Sequence, residues 1–162
     1  MTVIAWDGKT LSADKRAVAN GMPRTVTKIH KVPGGVVAFS GSRMRALVLL
    51  DWFMKGADLA NFPPGSTDLD QHADALFATT DRELYLYCDG PQTMPDFIVE
   101  PYMAMGSGRD FAMAAMACGQ SSKEAVVLAS NFDVFCGNGV DTMDPQWEMK
   151  KDVNDAAAFP FP

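Results

Sequence analysis

Thr2 is the first residue whose position suggests chemistry, because its hydroxyl lies beside the chain's amino terminus once Met1 is removed. A small second residue such as Thr permits that removal. The freed α-amine has an intrinsic pKa of about 7.7–8.0, so part of it is neutral at pH 7 and can serve as a base. A hydroxyl paired with its own amine can be activated without a histidine. Taken alone, Thr2 is more simply a β-forming residue after the initiator Met.

Two charged residues could tune such an amine. A buried lysine near a terminal amine biases that amine toward its neutral form, and an adjacent aspartate keeps the lysine charged and oriented. Lys28 and Asp14 are the candidates for these two roles. The simpler interpretation of each is a surface charge or an ordinary ion pair.

An early hairpin is expected to bring Thr2 and Asp14 together. Residues 2–6 and 9–13 have strand composition, and Asp7-Gly8 between them is a strong short-range hairpin signal. A two-residue turn would pair Thr2 with Ala13, and a bulged turn would pair it with Asp14. Both registers place Thr2 beside the Ala13-Asp14 step.

The remaining pattern alternates strands with blocks of helix. Ser42 is predicted to cap a helix that ends near Gly56, and Ser107 to cap a helix over 109–118. Ser121 with Glu124 fits a capping box and begins a helix that runs to about 131. Further strands are predicted at 25–32, 36–40, 76–80, 84–88, 102–105, 133–136 and 140–143, and loops at 20–24 and, with one short helix, at 61–71.

This order predicts an α+β protein with two antiparallel sheets between helical layers. One domain is expected over 1–143, followed by a peripheral C-terminal tail over 144–162.

Composition narrows the class of protein. A net charge of −6 gives no general attraction to phosphate backbones, so nucleic-acid binding is not expected. Three widely spaced cysteines and two histidines form no ligand cluster, so no disulfide framework, metal or cofactor is predicted. No apolar run is long enough to cross a membrane, and no signal peptide is evident. We therefore expect a cytoplasmic protein.

Five short segments carry a more specific signal: Thr2 to Ala5 with Asp7-Gly8 and Ser12-Ala13-Asp14-Lys15-Arg16, then 27–32 around Lys28, 38–42 around Gly41, 105–112 around Ser107, and 133–137 from Asp133. In this order and spacing, the chain resembles the proteasome β-subunit-type, HslV-like threonine peptidases, which are N-terminal nucleophile hydrolases. One departure is Cys136, which stands where that family usually has Ser.

The resemblance implies a four-layer αββα sandwich and a role for each matching residue. Thr2 would be the nucleophile with its own amine as base, Lys28 would tune that amine, and Asp14 would position Lys28. The Gly41 N–H would donate to the oxyanion. Ser107 and Asp133 would form hydrogen bonds around the amine.

The same resemblance implies self-association into a ring-like homo-oligomer, a peptide or unfolded-protein substrate and an ATP-dependent unfoldase as a partner. The first alternative is a non-catalytic assembly or scaffold protein of the same fold that retains Met1. A second alternative is an amidohydrolase that acts on a small amide.

Overall fold

The strand and helix segments of the sequence fold into eleven strands and three α-helices within residues 1–150, the part of the chain that this computed structural model describes. In chain order they are β1 (Val3–Trp6), β2 (Leu11–Asp14), β3 (Arg16–Ala19), β4 (Met22–Thr25), β5 (Ile29–Val32), β6 (Gly35–Gly41), α1 (Arg43–Met54), β7 (Ala73–Thr79), β8 (Leu84–Tyr87), β9 (Asp96–Ile98), β10 (Met103–Gly106), α2 (Arg109–Ala117), α3 (Ser122–Phe132) and β11 (Val140–Met143). Short 3₁₀ helices cover Leu59–Asn61, Leu69–Gln71 and Pro145–Lys150.

The strands form two larger antiparallel sheets and one separate hairpin. The first sheet has the order β10-β1-β2-β11, and the second has the order β5-β6-β7-β8-β9. Within residues 1–150, strands β3 and β4 pair only with each other.

Strand β1 shows why these sheets stack into layers. All four of its side chains are buried, and successive side chains of a strand point to opposite faces. Val3 and Ala5 pack against α2 and α3, whereas Ile4 and Trp6 pack against the second sheet.

Strand β6 divides its side chains in the same way. Val36 and Ala38 face the first sheet, and Val37 and Phe39 face α1. The layers are therefore helices α2 and α3, the first sheet, the second sheet and helix α1. The predicted αββα sandwich is confirmed.

The register of the first hairpin differs from both predicted registers. Ile4 lies opposite Ala13 and Trp6 lies opposite Leu11, so the turn contains four residues rather than two. The Asp7 side chain stabilises this wider turn, because its carboxylate accepts hydrogen bonds from the N–H groups of Lys9 and Thr10. Thr2 and Asp14 nevertheless remain neighbours.

Two predictions for the next segment are wrong. The predicted loop over 20–24 contains the turn and second strand of the β3–β4 hairpin, in which Asn20 and Gly21 have φ of 53° and 75°. Positive φ at both central residues suits a two-residue hairpin turn. The predicted strand over 25–32 is shorter, since only Ile29–Val32 belongs to the second sheet. Lys28 lies just before that strand, and its carbonyl accepts a hydrogen bond from Phe39 N.

The helix predictions are mostly confirmed. Ser42 caps α1, and Ser121 and Glu124 form the capping box of α3. Ser107 does not cap α2, because Gly108 occupies the N-cap position and the Ser107 hydroxyl donates to the carbonyl of Thr2 instead. The predicted strand at 133–136 is a turn that follows α3, in which Cys136 N donates to the carbonyl of Asp133.

The segment after β11 returns to the body of the protein. The indole N–H of Trp147 donates to the carbonyl of Gly35 at 2.8 Å, and Lys31 lies over the Trp147 ring. The rest of the predicted tail, from 151 to 162, lies outside the described residues. None of the helices described over residues 1–150 has the length and hydropathy of a membrane span.

Candidate active site

Thr2, Lys28 and Asp14 form a buried, hydrogen-bonded cluster at the start of β1. The Lys28 ammonium donates to Thr2 Oγ1 at 2.7 Å and to Asp14 Oδ1 at 2.7 Å. Thr2 Oγ1 donates to the same Asp14 oxygen at 2.7 Å. The Asp14 side chain is 0% exposed and the Lys28 side chain 9%, so their ion pair is shielded from water. The hydroxyl therefore has a carboxylate as acceptor and an ammonium as donor.

The backbone holds the Asp14 carboxylate in a single orientation. Its Oδ1 also accepts from Val3 N at 3.0 Å, and its Oδ2 accepts from Arg16 N at 3.1 Å and Gly137 N at 3.0 Å. Both oxygens of this buried charge are thus satisfied by donors. These bonds connect β1, β2 and the loop before β11 at one point.

The charge of Lys28 depends on two opposing effects. Burial lowers the pKa of Lys28, and the Asp14 carboxylate partly offsets that effect. The ammonium also donates to the carbonyl of Met1 at 3.4 Å. A cation that contacts both the Thr2 hydroxyl and the preceding peptide group is close enough to influence an amine freed at Thr2.

A cavity of about 300 Å³ opens beside this cluster. Met1, Thr2, Lys28 and Gly41 are among its lining residues, and Met1 is 60% exposed. Gly41 has φ of 118°, and a Cβ atom there would clash with the carbonyl of His72. The β6–α1 junction therefore requires glycine, because L side chains rarely adopt this backbone conformation and there is no space for one.

A second polar group lies on the other side of Thr2. The Ser107 hydroxyl donates to the Thr2 carbonyl at 3.3 Å and lies 3.8 Å from Cys136 Sγ. The Cys136 thiol donates to Asp133 Oδ2 at 3.2 Å. Burial and the bond to Asp133 raise the pKa of the Cys136 thiol to about 12, so it stays protonated at neutral pH.

The pKa of Asp133 is shifted in the opposite direction, below its ordinary value. Although desolvation acts to raise the pKa of Asp133, hydrogen bonds from Ser107, Phe135 N and Cys136 bring it below its ordinary value. Asp133 is therefore an anion that faces the Ser107 and Cys136 donors.

The structure thus places the six predicted site residues in one region. Thr2, Asp14 and Lys28 are in direct contact, and Gly41 borders the same cavity. Ser107 contacts the backbone of Thr2, whereas Asp133 reaches that backbone only through Ser107 and Cys136.

Sequence reasoning missed the support that Arg16 and Gly137 provide. Arg16 Nη1 donates to the carbonyl of Val134 at 2.8 Å, and its Nε donates to Asn138 Oδ1 at 3.2 Å. A Cβ atom at Gly137 would lie 2.9 Å from the Arg16 guanidinium. Arg16 therefore packs on the loop that supplies the Gly137 N–H to Asp14. The only sequence signal for this role is the spacing of Arg16 from Asp14.

Within residues 1–150, no group of three or more His, Cys, Asp or Glu side chains is arranged to hold a metal ion.

Comparison with known proteins adds to this geometry. No family model matches the chain. The ATP-dependent protease subunit HslV of Lacticaseibacillus casei (strain BL23) is 28% identical, in a match that covers 86% of this chain and 91% of that protein. The HslV subunit of Lacticaseibacillus paracasei has the same identity and coverage.

Solved structures have the same fold. Eukaryotic HslV from Trypanosoma brucei superposes with a TM-score of 0.63 at 18% identity, covering 88% of this chain and 97% of that chain. The chain is therefore similar, in sequence and in fold, to HslV-like proteins of the proteasome type. Thiobacillus denitrificans BPH also matches, with a TM-score of 0.62 at 20% identity over 89% of this chain and 97% of its own. In this chain the αββα sandwich carries the Thr2 cluster at the start of β1.

Proposed function

We propose that this HslV-like chain is a threonine-type endopeptidase that hydrolyses peptide bonds with Thr2 after Met1 has been removed. The contact of the Thr2 hydroxyl with a buried lysine–aspartate pair at the edge of an open cavity carries this proposal. The names of the curated relatives, which are protease subunits, support it.

The first step requires a base for the Thr2 hydroxyl proton. Removal of Met1 leaves the α-amine of Thr2 on the same residue as the hydroxyl. Lys28, as a cation next to Thr2 Oγ1, lowers the proton affinity of that amine and favours its neutral form. The amine then takes the hydroxyl proton while Oγ1 attacks the carbonyl carbon of the substrate.

The attack converts the substrate carbonyl into an oxyanion. The Gly41 N–H is the proposed donor to that oxyanion, and one such donor lowers the barrier by about 2.7–4 kcal/mol. When the C–N bond breaks, the amine returns its proton to the leaving nitrogen and an ester on Thr2 remains. Water then attacks this ester, with the same amine as base, and releases the free carboxylic acid.

Ser107 and Asp133 are proposed to orient the freed amine. Ser107 donates to the Thr2 carbonyl, one residue from the nitrogen that becomes the amine, and Asp133 bonds to Ser107 and Cys136. The negative charge of Asp133 attracts the protonated amine and holds it on this side of Thr2.

We further propose that the active form is a ring-like homo-oligomer in the cytoplasm that receives peptides or unfolded protein from an ATP-dependent unfoldase. The relatives are named as ATP-dependent protease subunits. The term subunit supports an assembly, and the term ATP-dependent supports an energy-consuming partner. Closed symmetry would confine the open cavity inside a ring.

The competing function is a non-catalytic assembly or scaffold unit that retains Met1. The hydrogen bond that the Met1 carbonyl accepts from Lys28 supports this alternative. In that state the Thr2 nitrogen is part of a peptide bond and cannot act as a base.

The intact mass of the assembled protein separates the two functions. We expect a mass without Met1, together with hydrolysis of a fluorogenic peptide. Thr2→Ala and Lys28→Ala should both be inactive, Thr2→Ser should retain activity because it keeps the hydroxyl, and Lys9→Ala is the matched control. Lys9 is exposed in the first turn.

Covalent labelling gives a second readout. Thiobacillus denitrificans BPH has been solved in complex with Epoxomicin. We expect Epoxomicin to add its mass once per chain of the wild type and not to label Thr2→Ala. Retained Met1 in the assembled protein, or peptide hydrolysis that survives in Thr2→Ala, would exclude the proposed mechanism.

A further inference from the structure

The cavity beside Thr2 has an unusual charge for this protein. The chain as a whole has a net charge of −6, yet the charged side chains that line the cavity are Arg16, Lys28 and Arg43, with no carboxylate among the described residues that line it. The charged side chains at the cavity surface are therefore opposite in sign to the net charge of the molecule.

Two of the three cations have partners within the protein. Lys28 pairs with Asp14, and the Arg16 guanidinium bonds to the carbonyl of Val134 and to Asn138. Arg43 is exposed, and the described part of the chain provides no ion pair for it. Arg43 is thus the cation that remains available to a ligand.

The position of Arg43 is unfavourable for the helix that contains it. Arg43 is the first residue of α1, whose first turn has no acidic residue. A positive charge at a helix N-terminus opposes the helix dipole. Arg45 in the same turn is compensated by a bidentate pair with Asp89, at 2.8 Å for each nitrogen, whereas Arg43 is not compensated in this way. The stability of the fold therefore does not explain Arg43.

Arg43 also lies at the end of α1 that borders the proposed oxyanion donor. Only Ser42 separates it from Gly41, and Ala46, Leu47 and Leu50 continue the same face of α1 along the cavity. His30 lines this wall as well, and burial and Arg43 both lower its pKa, so His30 is neutral at neutral pH. Arg43 is therefore the one charged residue on the face of α1 that lines the cavity, and it lies at the end of the helix nearest Gly41.

We propose that the cavity selects substrate segments with an acidic rather than a basic side chain next to the scissile bond, and that Arg43 sets this preference. The inference rests on the proposed peptidase function. Arg43 attracts a carboxylate, and it also rejects a second cation, which is a means of specificity in its own right.

The expected selectivity is moderate because Arg43 is exposed to solvent. We expect the acidic peptide to be preferred over the basic one by about tenfold at low salt. The preference should weaken as the ionic strength rises, since salt screens exposed charges.

Two fluorogenic peptides that are identical except for Glu or Lys before the cleaved bond provide the test. The quantity compared is the ratio of kcat/KM for the Glu peptide to that for the Lys peptide, measured in wild type, Arg43→Met, Arg43→Lys and Arg24→Met. A ratio within one variant cancels any effect on assembly or on Thr2 itself. Arg24 is an exposed arginine of β4 that does not line the cavity, so Arg24→Met is the matched control.

Binding separates this inference from the peptidase function. The same two peptides, each carrying a dye on a bond that is not cleaved, are bound to the Thr2→Ala protein. Fluorescence anisotropy then gives the Kd of each peptide without any need for hydrolysis. We expect both the kinetic ratio and the ratio of Kd values to fall below threefold in Arg43→Met and to stay near tenfold in Arg43→Lys and Arg24→Met.

The possible results lead to distinct conclusions. If the wild type cleaves both peptides equally well, the selectivity is refuted while the peptidase function stands. If nothing is cleaved but the Glu peptide binds more tightly through Arg43, the selectivity stands and the peptidase function fails. Equal binding of the two peptides, binding of neither, or a ratio that Arg43→Met leaves unchanged would overturn the inference.

Discussion

Replacement of Asp14 by Asn tests whether the buried ion pair has the energetic role that its contacts imply. Asp14→Asn preserves the shape of the side chain but removes its charge and one of its two acceptor oxygens. Five donors converge on the carboxylate, three on Oδ1 and two on Oδ2. Whichever way the amide is oriented, its NH₂ group faces donors, and the Lys28 ammonium loses its counterion.

The cost can be approximated from these contacts. Removal of one partner from a buried ion pair costs about 3–5 kcal/mol, because the remaining charge is left without compensation. The pair is 0% and 9% exposed, so solvent screening reduces this cost little. We therefore expect Asp14→Asn to lower the free energy of unfolding by about 3–5 kcal/mol.

A double-mutant cycle with Lys28→Met isolates the charge interaction. In the Lys28→Met background the buried ammonium is absent, so Asp14→Asn should cost at least about 1.5 kcal/mol less than in the wild type. Denaturant unfolding at one fixed protein concentration, followed by the fluorescence of the buried Trp6 and Trp52, measures all four proteins. A loss below about 1 kcal/mol in Asp14→Asn, or additive effects of the two substitutions, would refute the argument from the buried pair.

Three shorter predictions concern titration, thiol chemistry and backbone geometry. Because burial lowers the pKa of Lys28, kcat/KM should fall on the alkaline side as the pH rises through that lowered value, and a profile that is flat beyond the ordinary value of 10.5 would contradict this. Iodoacetamide should modify exposed Cys118 first and then Cys88, because burial and nearby carboxylates raise the pKa of Cys88. Buried Cys136 should react only after denaturant is added. Mass spectrometry counts the adducts, and rapid labelling of Cys136 in the native protein would disprove its burial. Gly41→Ala should reduce peptide hydrolysis by at least about 100-fold through displacement of the oxyanion donor, and near-normal kinetics would argue against that donor.

Local sequence patterns predicted much of the secondary structure correctly. The capping residues Ser42 and Ser121 start helices because a side-chain oxygen and a nearby N–H group satisfy each other within one turn. The covered strand around Val37 was recognisable because it lacks alternation. These features depend on neighbours that are close in sequence, so the sequence contains the information needed to predict them.

Predictions failed where distant contacts compete with local ones. Ser107 is a residue type that favours the N-cap of a helix, yet its hydroxyl donates a hydrogen bond to the Thr2 carbonyl, 105 residues away. Residues 133–136 have the composition of a strand, yet the Asp133 side chain accepts from Phe135 N and Cys136 Sγ and forms a turn. The β3–β4 hairpin was missed although Asn20-Gly21 is a strong turn signal.

The fold class and the residue types of the candidate site follow from the amino-acid sequence, since strand and helix periods and the order of motifs are properties of the chain. How those residues meet depends on the tertiary structure. The four-residue turn of the first hairpin, the five donors on Asp14 and the place of Arg43 on the cavity wall all arise from packing between segments far apart in sequence. Burial in that packing gives Lys28 and Cys136 their shifted pKa values, because desolvation depends on everything that surrounds a group rather than on its neighbours along the chain.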